Sequence, residues 1–147
     1  MARGDLTLFE EFAKMLGSEN FVFGSDTTKV ALFDTSASFA ATDASPVYSS
    51  TNEVSGTGYS AGGATIASPT YTEASGVATF DGANITWSQN ASGFTGATSA
   101  LIYDDTNATK MAIGWGRSRV GGVAARRRRD DFLKRLGDLH CNRVLRE

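Results

Sequence analysis

Apolar positions follow two rhythms along this chain, a helical one at its start and strand-like ones through its middle. Leu8, Phe9, Phe12, Met15 and Leu16 recur at three- and four-residue spacing with Glu10, Glu11 and Lys14 between them, so one stripe is apolar and the rest charged. Thr7 and Glu10 have capping-box spacing, Asp5 adds negative charge near the start, and Gly17 stands where a C-terminal cap belongs. Together these predict a helix over about residues 6–16. Its stripe must be covered, either by the chain's own sheet or by a neighbouring subunit.

Beyond Gly17 the spacing becomes that of strands. Lys29 to Phe33 (KVALF) is apolar on both faces, as a central strand is. Residues 34–53, rich in Ala, Ser, Thr and Asp around Pro46, read as a long surface connection with little regular structure. Thr51 to Gly63 (TNEVSGTGYSAGG) is a built turn: Gly56, Gly58, Gly62 and Gly63 supply backbone freedom, while Val54 and Tyr59 are side chains for burial. Ala64 to Ala67 and Val77 to Phe80 are short strand candidates. Asp81-Gly82 reads as a hairpin turn leading to Ile85 and Trp87, with Trp87 in a core or an interface. Ala97 to Tyr103 and Met111 to Trp115 form a second hairpin with a polar tip at residues 104–109. In its second strand Met111, Ile113 and Trp115 alternate with Ala112 and Gly114, which predicts one bulky face and one thin face open to close approach. Five or six short strands punctuated by turns predict a mainly β fold, a small antiparallel sandwich or barrel behind a short N-terminal amphipathic helix.

Composition agrees. The chain has 147 residues, 41% hydrophobic and only 20% charged, with nine Phe, so it can bury a core rather than remain disordered. Sixteen glycines favour strands and turns over a helical bundle. The single cysteine, Cys141, forms no internal bridge, and no window nears the ~20 apolar residues that cross a bilayer, so neither a disulfide scaffold nor a membrane protein is expected.

The net charge of −2 hides an asymmetry. Residues 1–116 hold four Lys/Arg against twelve Asp/Glu, a balance of −8, and residues 117–147 hold ten against four, a balance of +6. This divides the chain into a helix-plus-β domain, 1–116, and a basic tail, 117–147. In the tail Phe132, Leu133, Leu136, Leu139 and Cys141 have helical spacing interrupted by Gly137.

Arg126, Arg127, Arg128 and Arg129 invite a nucleic-acid reading, since each neutralised phosphate releases counterions. Against it stand the adjoining acids Asp130 and Asp131 and the lack of interleaved aromatics. Catalytic signals are poor. The one histidine, His140, adjoins Cys141, and neighbouring side chains point apart, so the two make no nucleophile and base pair. The paired acids Asp104 and Asp105 are expected at an exposed tip with ordinary acidity. With Asn107 they could offer calcium oxygens, but no twelve-residue loop ends in a bidentate Glu. GTGYSAGG has neither the lysine of a phosphate-binding loop nor GxGxxG spacing. The expectation is no enzyme, no cofactor and no metal.

The ordered set DLTLFEEFAKMLG, KVALFDTS, EVSGTGYSAGG, Asn84-Ile85-Thr86-Trp87 and ALIYDD resembles small virion structural proteins of tailed bacteriophages, over residues 1 to about 116. That resemblance implies a protein made in the host cytoplasm and carried in the virion, decorating or cementing the head. Its implied partners are the major capsid protein, other virion subunits or sister copies. It makes Glu53, Gly56, Gly58, Tyr59, Gly62 and Gly63 fold-defining. The interface expected with it is Phe9, Phe12, Leu16, Trp87, Trp115 and Arg126 to Arg129. A tail or fibre adaptor, or a small cellular domain binding sugars or nucleic acid, are the alternatives. The tail departs from the resemblance, which implies a further strand pair there.

Overall fold

The structure, a computed structural model, describes residues 6–18, 21–87 and 92–117. Over these residues it is mainly β and antiparallel, with one short helix. A five-stranded sheet runs in the order β1 (Leu6–Leu8), β7 (Ala112–Arg117), β6 (Ser99–Asp104), β2 (Thr28–Phe33), β3 (Ala64–Thr65). A separate hairpin joins β4 (Thr70–Ala74) to β5 (Val77–Asp81). The edge strands β1 and β3 do not pair with each other among the described residues, so the sheet stays open and the arrangement is sandwich-like rather than a barrel.

Both faces of the sheet are covered. On the first, Val30, Leu32, Ala100, Ile102 and Ile113 pack with Phe12 and Met15 of α1 (Glu11–Gly17), Phe21, Val54, Ile66 and Phe80. On the second, Ala31, Phe33, Leu101, Tyr103, Ala112 and Trp115 pack with Phe9. KVALF is thus an inner strand with apolar residues on both faces, as its composition predicts. Residues 34–53 carry no strand, but they are more than a surface connection. Ala37, Phe39 and Tyr48 lie against the second face, so a loop does there what a second sheet does in a regular sandwich.

The start of the chain departs from the helix prediction. Leu6 to Leu8 pair with Gly116 to Gly114 instead of winding into a first turn, and α1 begins only at Glu11. Glu10 stands at the N-cap with no side-chain cap bond, so Thr7 and Glu10 are not a capping box. A sheet edge with two glycines in reach outcompetes local propensity: a Cβ on Gly114 would sit 2.7 Å from the Thr7 carbonyl oxygen. At the other end Ser18, not Gly17, caps the helix, its hydroxyl donating to the Lys14 carbonyl at 2.9 Å.

Two strand details also differ. The positive-φ pair Ser75 (54°) and Gly76 (79°) makes the tight two-residue turn, between β4 and β5, so the hairpin lies one strand earlier than Asp81-Gly82 suggests. In β7 the register shifts opposite Ile102 and Tyr103, where a bulge spends an extra residue. Ile113 therefore joins the first face while Trp115 joins the second, and the single bulky face expected from alternation does not form.

Candidate functional site

The glycine-rich turn closes over the end of β2 through one carboxylate. The Glu53 backbone bridges Phe33, and the next residue, Val54, donates its N–H to the Leu32 carbonyl at 3.0 Å. The Glu53 side chain is thereby fixed beside the rings of the second face. Its Oε1 accepts the Tyr59 hydroxyl at 2.6 Å and the Gly62 N–H at 2.8 Å, and its Oε2 accepts the Tyr48 hydroxyl at 2.6 Å. Tyr59 in turn accepts the Leu32 N–H at 2.9 Å, and Tyr103, stacked on Tyr48 with ring centres 4.4 Å apart, donates to the Gly62 carbonyl at 2.7 Å.

Gly63 completes the closure. Its φ is +73°, and a Cβ there would fall 1.9 Å from the Val30 carbonyl oxygen. Gly62, at φ +88°, lies under the Tyr103 hydroxyl, and Gly56 lets the backbone of Phe94 pass within 2.7 Å of where its Cβ would be. Gly58 also has positive φ, at 86°. Trp87 is half-buried against Tyr59 and Phe94.

This cluster holds its protons firmly. Burial, followed by the Glu53 carboxylate, raises the pKa values of Tyr48 and Tyr59 well above the ordinary phenol range. Tyr103 is pushed up to about 12, mainly by burial and then by Asp105 and Glu53. A phenol so held is a poor proton donor at neutral pH, and Glu53 has its oxygens occupied by O–H and N–H donors.

The Asp104 and Asp105 pair is not the exposed tip expected. Asp104 is 1% exposed and accepts the Thr106 N–H at 2.8 Å; burial raises its pKa, and the backbone N–H groups of Thr106 and Asn107 partly offset that rise. Asp105 accepts Lys29 at 2.6 Å and Lys110 at 2.7 Å, and these two bonds hold its pKa below the usual carboxylate range. Lys110 also lies 5.7 Å from the ring centre of Tyr48 and 5.9 Å from that of Tyr103, which ties the hairpin tip to the tyrosine cluster. Among the described residues no three His, Cys, Asp or Glu side chains gather as a metal site.

The residues expected at an interface separate into three groups. Phe9, Phe12 and Trp115 are buried by this chain itself, so the area expected to meet a partner is covered internally. Leu16 is 39% exposed and Trp87 half-buried. Arg126 to Arg129, like His140 and Cys141, lie outside the described residues. Exposed apolar area appears at positions that no sequence pattern marks, Val22 and Tyr71, 50% and 52% exposed. Tyr71 stacks flat on Phe23, ring centres 4.7 Å apart, and Phe23 contacts Phe12, Phe21 and Phe80. No helix among the described residues is long and apolar enough to cross a membrane.

No protein-family model matches the chain, and neither the curated proteins nor the solved structures contain a significant match to it.

Proposed function

We propose that this chain is a non-enzymatic structural protein of a tailed-phage particle, present in many copies and stabilising the head shell through protein contacts. The resemblance of residues 1 to about 116 supplies the setting. The observation that carries the adhesive reading is how the polar groups of the body are used. Glu53 is committed to Tyr48 and Tyr59, Tyr103 to the Gly62 carbonyl, and Asp105 to two lysines, while apolar side chains remain exposed at Leu16, Val22, Val47 and Tyr71. A surface of that kind stabilises an assembly by binding its assembled form more tightly than free subunits. The partners in this reading are the major capsid protein, other virion subunits or sister copies, and the basic segment 117–147 is a docking arm for an acidic protein surface.

Quantitative mass spectrometry of purified particles tests it. A head cement is expected on the order of hundreds of copies per particle, as a symmetric lattice requires. A count in the tens or below moves the protein to the tail or a fibre, and absence from particles ends the virion reading.

A further inference from the structure

The hairpin β4–β5 leaves one strand unused. All five residues of β4, Thr70-Tyr71-Thr72-Glu73-Ala74, are exposed, and among the described residues β4 pairs only with β5. The turn fixes which of its backbone groups are free. Ser75 and Gly76 close a two-residue turn, so the flanking residues Ala74 and Val77 exchange hydrogen bonds, and so do Thr72 with Thr79 and Thr70 with Asp81. The intervening residues, Tyr71 and Glu73, therefore direct their N–H and C=O groups to the open edge. An open edge of this kind is a template for another strand.

We propose that β4 pairs antiparallel with β4 of a second copy about a two-fold axis at Thr72, joining two hairpins into one four-stranded sheet. In this register Tyr71 of each copy faces Glu73 of the other, and the two exchange their outward N–H and C=O groups. Thr72 faces Thr72 as the close, non-hydrogen-bonded pair, a favourable cross-strand combination. Charge and backbone chemistry select this register over its neighbours. Centring on Glu73 would oppose two carboxylates. Centring on Tyr71 would set Pro69, which has no N–H, opposite Glu73. A one-residue slip would set outward groups against inward ones.

A five-residue ladder falls short of the ~800 Å² per partner of a standard stable interface, so the pairing is weak between free molecules and strong where copies are held close. That crowding rests on the virion reading; the pairing itself does not.

The test is disulfide trapping in the full chain carrying Cys141→Ser, so that no other thiol is present. Under mild oxidation Thr72→Cys is expected to give a covalent dimer. Thr70→Cys alone should give none, and Thr70→Cys mixed with Ala74→Cys should give the mixed dimer. Thr72→Lys, which opposes two like charges on an exposed face, should weaken self-association in sedimentation by at least about tenfold while leaving the circular dichroism spectrum unchanged. Two results overturn the inference: a chain that stays monomeric at the highest concentration it tolerates with Thr72→Cys untrapped, or Thr70→Cys trapping as readily as Thr72→Cys. Either can occur while the protein is still counted in particles, and absence from particles can occur while Thr72→Cys is still trapped.

Discussion

β6 and β4 are both short antiparallel strands belonging to hairpins, and they live in opposite surroundings. All six residues of β6 are buried, with β2 and β7 on its edges and a packed layer on each face. All five residues of β4 are exposed, and among the described residues one edge is open and one stacked ring, Tyr71 on Phe23, ties the strand to the body. Stability therefore resides in the sheet and the turn that closes over it. The hairpin is where the molecule can change or meet another without unfolding.

The largest expected effect attacks the buried side of this contrast. Gly63→Ala places a methyl group against the Val30 carbonyl at a φ of +73°, so both the turn and the β2–β3 pairing must shift. We expect a loss of about 4 kcal/mol or more, or a chain that fails to fold, read by urea unfolding. Near-native stability would mean that the turn is not interlocked with β2. Glu53→Ala comes next, at about 3 kcal/mol, because two tyrosine hydroxyls and the Gly62 N–H lose their acceptor. Glu53→Gln should recover more than half of that loss, since its carbonyl oxygen still accepts and the Tyr48 hydroxyl can turn to receive the new N–H.

Asp105→Asn is smaller and depends on pH. The folded pKa of Asp105 lies below its unfolded value. Its stabilisation is therefore complete above the unfolded pKa and is lost as pH falls through the folded one. The substitution should cost about 1 kcal/mol at neutral pH, since Lys110 and Lys29 are partly exposed and screened. As pH falls through the folded pKa the urea midpoints of the two proteins should converge, and a difference that did not shrink on acidification would assign the cost to packing.

The same contrast explains how much the sequence disclosed. β2, β6 and β7 were legible because burial on both faces writes dense apolar runs such as KVALF and ALIY, and the fold class followed from them. The turn was legible as a turn because four glycines and Glu53 stand together. Its partners Tyr48 and Tyr103 were not, because they reach Glu53 across the fold from a loop and a strand. β1 was hidden because its edge pairing with a glycine-bearing strand outweighs a helix-like local pattern. The bulge at Ile113 was hidden because alternation carries no mark of an inserted residue. β4 was missed for the opposite reason: no residue of TYTEA is fully buried on either face, so no apolar periodicity records it.

Tyr71→Ala probes the exposed side and should have the smallest effect. Tyr71 is 52% exposed and its main contact is the stacked ring of Phe23, so removing it forfeits about half of an aromatic side chain's burial. A loss of about 1 kcal/mol or less is expected from unfolding in dilute solution. The value should also carry information about assembly. If β4 pairs with a second copy, mass action stabilises the wild type as concentration rises, and the gap between the two proteins widens because the variant loses a side chain from the joint. A gap that is small and constant across concentrations would leave β4 as an ordinary solvated strand, and one above about 2 kcal/mol in dilute solution would place the hairpin with the core and abolish the contrast with β6.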